Sequence, residues 1–321
     1  MIVRTPKRLH LGIVDPTGSL GRKFGSIGVA LEGGYEIKVT PAGSLSIEAN
    51  EEDRKVIEKV IKELNIKYET GFEYCIEVRK SIPRHVGLGS TTQLTLALAS
   101  AILKISKKEV SIEEIAMSLG RAKESGAGLY VFKHGGFVVD GGIKEGIPPL
   151  VIRHEFPEEW AFILVIPELK RGLSEDEEEG IMSSNFGSVE VAKEISYKLL
   201  FGLVPALVER DIVGFGRFLT EIQELVGKHF SSFQGGTYRE DIALIVEELK
   251  EITYGAGQSS WGPTVYGVIR REDFNSVRVK LLDFLDDHGI KAKIELGLPR
   301  NRGAEIVGEN LFLERLISGV K

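Results

Sequence analysis

The stretch "IPRHVGLGSTTQLTLALASAILKI", Ile82 to Ile105, decides how the rest of the chain is read. Its first half is a glycine-spaced loop. Its second half is an apolar run suited to a helix. Gly87 and Gly89 let a backbone approach an anion and adopt positive φ. Ser90, Thr91 and Thr92 are residue types that cap helices. Free amides at the start of the helix, with its dipole, favour a bound phosphate, and Arg84 and His85 add charge. No lysine follows the glycines, so the loop is not of the Walker A type. Taken alone, it reads equally as a tight connection between a strand and a helix.

Outward from this loop, the preceding "GFEYCIEVRKSIP" alternates like a strand, which places Cys75 in the core as a buried thiol. It is the only cysteine, so no internal disulfide is possible. "EEDRKVIEKVIKELN" carries Val56, Ile57, Val60, Ile61 and Leu64 at the helical period. "MIVRTPKRLHLGIV" is β-rich around Pro6, and "GSIGVALEGGYEIKVTPAG" reads as a strand pair turning at Gly33-Gly34. After the loop, "SIEEIAMSLGRAKES" is a helix with a capping box at Ser111 and Glu114. "HGGFVVDGG" is a short strand, and "WAFILVIPE" is apolar throughout and so central in a sheet.

The Pro-containing "KEGIPPLVIRHEFPEE" marks a domain boundary, giving domains 1–155 and 156–321. The acidic run Ser174–Gly180 reads as a solvated helix start or a mobile loop rather than a metal site, because no histidine or regular ligand spacing accompanies it. Three helical segments follow, then the glycine-rich "YGAGQSSWGPTVYGVI", a helix at "FNSVRVKLLDFLDDHG" and strands at "IKAKIEL" and "GAEIV". This order reads as α+β in two lobes.

A formal charge of −6 and a pI near 5.7 argue against a nucleic-acid or membrane-surface protein. An anionic substrate would need a local basic pocket. No apolar run suits a bilayer and no signal-peptide pattern is present, so the expected location is the cytoplasm.

"PKRLHLGIVD", "PRHVGLGSTTQLTLALA" and "YGAGQSSWGPTVYGV" follow one another in the order of the three motifs of the GHMP kinase superfamily, which the chain resembles. The resemblance implies a two-lobed fold. Its N-terminal lobe would be like the second domain of a small-subunit ribosomal protein, and its C-terminal lobe ferredoxin-like. In those kinases a segment near S-G-I-D holds the aspartate that serves the attacking hydroxyl. Here "ESGAGLYVFKHGGF" keeps the spacing from Ser125 to Gly135 and puts Gly128 at the aspartate position. A glycine cannot accept a proton or orient a hydroxyl.

The segments "RLHLGIVD", "HVGLGSTTQLTLALA", "HGGFVVDGG", "FGLVPALVERD", "FGRFLTEIQELVG", "FQGG" and "YGAGQSSWGPTVYGV" are similar to the β-ribofuranosylaminobenzene 5'-phosphate synthases, a non-kinase family of the same superfamily in archaeal methanopterin synthesis. The resemblance implies a decarboxylating phosphoribosyltransferase. It would join phosphoribosyl pyrophosphate to 4-aminobenzoate or 4-hydroxybenzoate, with Mg²⁺, no organic cofactor and a homodimeric assembly.

Candidate catalytic residues are then His10, Asp15 and His85. Candidate phosphate and substrate residues are Lys7, Arg8, Arg84, Gly87, Gly89, Ser90, Thr91, Arg121, Ser125, Gln258, Ser259 and Ser260, with Trp261 walling a ring slot. Each has a structural reading beside it. His10 can be a core histidine, Asp15 before Pro16 can open a turn, Trp261 can be core, and Asp140 in "DGG" serves a turn. His134 stands between site and turn. One departure is Glu124, where the family pattern carries an arginine; Lys123 next to it can compensate. Two other readings are a small-molecule ATP kinase, against which Gly128 stands, and a non-catalytic binder of phosphorylated ligands, which Glu124 allows.

Overall fold

A computed structural model describes residues 1–308 apart from 170, 171, 174 and 185. The N-terminal half is built from β1 (Ile2–Arg4), β2 (Lys7–Asp15), β3 (Phe24–Leu31), β4 (Glu36–Pro41), β5 (Ser46–Glu48), α1 (Glu51–Tyr68), β6 (Tyr74–Lys80), α2 (Ser90–Ile105), α3 (Ile112–Ser118), α4 (Ala127–His134), β7 (Phe137–Asp140) and β8 (Leu150–His154). Then come β9 (Trp160–Pro167), α5 (Glu175–Met182), α6 (Val189–Lys198), a π-helical turn and α7 (Val204–Val208), α8 (Ile212–Gln234), α9 (Ala243–Ile252), β10 (Gly255–Gln258), β11 (Val265–Arg270), α10 (Phe274–Asp287), β12 (Ala292–Gly297) and β13 (Glu305–Val307).

The strands form three sheets, in the orders β13-β1-β4-β6-β5, β2-β3-β7-β8 and β10-β11-β9-β12. The third, with helices between β9 and β10 and between β11 and β12, is the split βαβ arrangement of a ferredoxin-like lobe. All eight residues of β9 are buried, which fits its place inside that sheet. The α+β, two-lobed expectation is met. No helix among the described residues is long and apolar enough to cross a membrane.

Local chemistry explains the elements that frame the site. Asn50 caps α1, accepting from the Asp53 amide at 2.9 Å, and Ile57, Val60, Ile61 and Leu64 bury one stripe of that helix. α2 is buried on nearly every face from Gln93 to Leu103, so it runs through the lobe with its N-terminus aimed at the interior. Ser111 caps α3 from the Glu114 amide at 3.2 Å.

Five readings need correction. β3 and β4 are not a pair. Thr5 and Tyr35 exchange bonds of 2.9 Å through Thr5 N to Tyr35 O and Tyr35 N to Thr5 Oγ1, which carries the chain onto the other sheet, where β4 lies between β1 and β6. Cys75 is exposed rather than buried, because Tyr74 and Ile76 take the inward positions of β6. The α3 helix stops at Ser118, so "GRAKES" is loop. The segment read as a plain boundary contains β8, paired with β7. Finally, β13 pairs with β1, so a strand from beyond the division at residue 155 joins the N-terminal sheet.

Candidate active site

A cavity of about 590 Å³ opens where β2, α1, the end of α3 with the loop 119–125, and α8 meet. A smaller one of about 130 Å³ adjoins it at the N-terminus of α2. Arg8, Thr92, Arg121, Glu178, Ser260 and Trp261 line both, so the two form one continuous site.

The smaller space has the form of an anion cradle. Gly89, not a serine or threonine, is the N-cap of α2, and no side chain caps the helix. This corrects the capping expected of Ser90, Thr91 and Thr92. The first intrahelical bond runs from Gln93 N to Gly89 O at 3.1 Å, so the amides of residues 90–92 come before the ladder begins. They and the helix dipole make a preformed anion seat. Gly87 and Gly89 have φ of +88° and +76°. A Cβ would strike the Ser259 carbonyl at 2.2 Å from Gly87, and Arg8 Cβ at 2.9 Å from Gly89. Both glycines are therefore fixed by close packing as well as by φ.

Arg8, like Arg121, is a cation shared by the two spaces. Burial lowers its pKa to about 10, against the pull of Glu178. Its Nη1 donates to Gly87 O at 3.4 Å, while the buried Nε has no partner among the described residues. A buried guanidinium with an unmet donor is the natural complement of an anion. His10, 5% exposed, receives the Gly12 amide at Nδ1 (3.2 Å), and its Nε2 lies 3.3 Å from Ser125 Oγ. Burial, helped by Arg8, holds its pKa well below the usual histidine value, so the ring is neutral.

Among the other expected residues, Arg121, Ser125, Gln258 and Ser260 stand on the large cavity, and His85, Gly87, Gly89, Ser90 and Thr91 on the cradle. Four do not reach either space. Lys7 pairs with Glu295 at 2.6 Å. Asp15 accepts from Thr17 N at 2.8 Å and from its hydroxyl at 2.5 Å, which is the turn reading. Arg84 is buried 3.9 Å from Asp53, behind the loop rather than in it. Ser259 is fully buried and ties the lobes: it receives His10 N at 3.0 Å and donates to Gly87 O at 2.7 Å.

Trp261 is a wall of both spaces. Its Nε1 donates to Glu178 at 3.1 Å and its ring meets Phe230 edge-on at 5.0 Å. His134 stacks on Tyr130 instead. Gly128 lies on the cavity wall, with Thr92 Cγ2 3.1 Å from where its Cβ would be. Glu124 also faces the cavity, and its pKa is raised by burial first and by Glu178 next.

Sequence reasoning missed Glu178, dismissed with a solvated acidic run. It missed Gln223, which holds Leu11 O and Gln258 N from α8. It also missed Ser26 and Asp140, which stand behind Ser125. Only the apolar spacing around Gln223 and the apolar and glycine residues that surround Ser26 in β3 could have flagged a buried polar group. The described residues contain no group of three or more His, Cys, Asp or Glu side chains arranged for a metal.

Two family descriptions match the chain: the GHMP kinases N terminal domain over residues 54–136 and the GHMP kinases C terminal domain over residues 203–287. A homoserine kinase structure from Cytophaga hutchinsonii superposes with a TM-score of 0.69 at 15% identity, over 96% of this chain and 97% of that one, which shows the shared fold. A beta-ribofuranosylphenol 5'-phosphate synthase of Archaeoglobus fulgidus is 33% identical over 95% of this chain and 98% of its own length. One from Methanocaldococcus jannaschii is 30% identical over 95% and 100%. With both superfamily domains matched and this degree of identity along nearly its whole length, the protein belongs to the beta-ribofuranosylphenol 5'-phosphate synthase family of the GHMP kinase superfamily.

Proposed function

We propose that the protein joins phosphoribosyl pyrophosphate to a para-substituted benzoate, releasing pyrophosphate and CO2, as a step of methanopterin synthesis. The name borne by the relatives puts a phenol in the product, so 4-hydroxybenzoate moves ahead of 4-aminobenzoate as the acceptor. One observation carries the reading against a kinase. The phosphate cradle of the superfamily is intact, while a glycine occupies position 128 on the cavity wall.

The chemistry matches that combination. The C1–O bond breaks and its electron pair leaves on pyrophosphate. An electron pair of the ring then forms the new bond from C1 to the carbon bearing the carboxylate. The bond to that carboxylate breaks, its pair restores the aromatic ring, and CO2 departs. No proton is taken from carbon or from an attacking hydroxyl, so a base at position 128 is unnecessary. Arg8 and the amides of residues 90–92 meet the negative charge that grows on the leaving group. His10, neutral and buried, serves as a hydrogen-bond donor rather than as a base. Ile13, Val226, Phe230 and Trp261 supply the apolar surface that a ring needs.

Magnesium belongs to the proposal. Mg²⁺ is usually held by one or two carboxylates together with substrate phosphate oxygens. Glu178 is the carboxylate on the walls of both spaces, and so the side chain suited to share the ion with a pyrophosphate. Such an ion would supply further charge stabilisation to the leaving group.

The test is release of labelled CO2 from carboxyl-labelled 4-hydroxybenzoate or 4-aminobenzoate in the presence of phosphoribosyl pyrophosphate and Mg²⁺. Release that requires phosphoribosyl pyrophosphate is the expected result. No release with either acceptor, together with ATP consumption on adding a metabolite, would replace this reading with a kinase.

A further inference from the structure

Four side chains, His10 and Ser125 on the cavity wall and Ser26 and Asp140 behind it, form a directed chain of hydrogen bonds. It is anchored at Asp140, which is 3% exposed at the end of β7. Its Oδ2 accepts from the Ser26 amide at 3.1 Å, the Gly126 amide at 2.9 Å and the Ser26 hydroxyl. Its Oδ1 accepts from the Gly142 amide at 2.9 Å. Burial raises the pKa of this carboxyl, and these four donors oppose that rise. All its partners are donors, so it acts as the acceptor end.

The only hydroxyl proton of Ser26 is therefore committed to Asp140. Its oxygen in turn accepts from Ser125 Oγ at 2.7 Å and from Ala127 N at 3.1 Å. That commits the only hydroxyl proton of Ser125. From the other side, the Gly12 amide occupies His10 Nδ1 and leaves the imidazole proton on Nε2, facing Ser125 Oγ at 3.3 Å. A serine oxygen has two lone pairs. One takes the His10 proton. The other has no partner among the described residues, and Ser125 stands on the cavity wall.

A serine usually rotates to donate or accept as its neighbour requires. This one can donate to a ligand only by breaking the chain behind it. We propose that Ser125 is a fixed hydrogen-bond acceptor that selects a hydroxyl on the sugar of the phosphoribosyl substrate, with Ser26, Asp140 and His10 as the positioning residues that set its polarity. The inference rests on the proposed reaction. The sugar is chosen over the arene by location. Ser125 lies three residues before Gly128, which packs against Thr92 in the first turn of α2, beside the cradle. The sugar carbon bonded to a pyrophosphate seated there would lie toward this part of the wall. The apolar surface of Val226 and Phe230 belongs to α8.

The probes are phosphoribosyl pyrophosphate and its 2-deoxy and 3-deoxy analogues, titrated calorimetrically. The unmodified protein should bind one deoxy analogue roughly tenfold more weakly than the parent. Ser125→Ala should bind the parent weaker by about the same factor and no longer distinguish that analogue. Ser125→Thr, which keeps the hydroxyl, should restore the distinction. Ser26→Ala, which touches no substrate, should reduce it by freeing the Ser125 proton. Equal binding of parent and both analogues by the unmodified protein would overturn the inference without any variant. So would full discrimination by Ser125→Ala. If Ser125→Ala instead erases a preference for 4-hydroxybenzoate over benzoate, the hydroxyl read is on the arene and the sugar assignment is wrong. Failure of the unmodified protein to bind phosphoribosyl pyrophosphate at all would remove the proposed reaction itself, a result separate from indifference to the deoxy positions.

Discussion

Replacing Ser259 by alanine should loosen the phosphate cradle without removing any group from its wall. Ser259 Oγ is fully buried between two backbone groups from different parts of the chain, His10 N at 3.0 Å and Gly87 O at 2.7 Å. Its loss leaves the two unequally affected. Gly87 O keeps the longer bond from Arg8 Nη1 at 3.4 Å, whereas the His10 amide is left without its acceptor. One buried donor without a partner costs about 1–3 kcal/mol, and the cavity left by a single hydroxyl adds little, so a destabilisation of about 2 kcal/mol follows. Because Gly87 opens the cradle and packs with no room for a Cβ against the Ser259 carbonyl, the same change should let the loop drift and weaken pyrophosphate binding. Equilibrium urea denaturation should show a lower midpoint at an unchanged slope, and a pyrophosphate titration should show a weaker Kd. An unchanged midpoint and an unchanged affinity together would refute the role of Ser259 as the tie between the lobes.

Arg84→Met should lower stability by about 3 kcal/mol, because Asp53 is fully buried beside it, and should leave pyrophosphate affinity alone; weaker binding at unaltered stability would return Arg84 to the cradle. Arg8→Met should do the reverse, with about ten- to a hundredfold weaker pyrophosphate binding and a folded protein by circular dichroism, since hydrogen bonds to charged groups contribute about 1.5–3 kcal/mol. His10 has its pKa depressed in the folded state, so its contribution to stability is present above the unfolded value near 6.5 and is lost as pH falls below it. Urea midpoints between pH 7.5 and 5 should therefore fall for the unmodified protein and fall less for His10→Gln; parallel curves would show that another group governs the loss.

What was legible in the sequence was local. The glycine-spaced loop ahead of an apolar run, the capping residue of α3, the stripe of α1 and the fully apolar β9 follow from propensity and period, which act over a few neighbours. The motif order pointed to the fold and the family, and Arg8, His10, Arg121, Ser125 and Ser260, expected from the resemblance, line the large cavity. Charge alone could not separate Arg8 from Arg84. Both are basic residues beside a motif, and only the buried Asp53, contributed by α1, decides that the second turns away. Lys7 was lost in the same way to Glu295, far along the chain on β12.

The polar chain behind Ser125 was decided by tertiary structure alone. Asp140 looks like a turn residue because its turn bond, to Gly142 two residues on, is the part visible locally. Its bonds to Ser26 and Gly126 exist because β7 lies against β3 and α4 starts at their edge. Hydrogen bonds are short and directional, and burial makes an unmet one costly, so their partners depend on the final packing of strands that the sequence places far apart. Period and propensity carry no information about that packing.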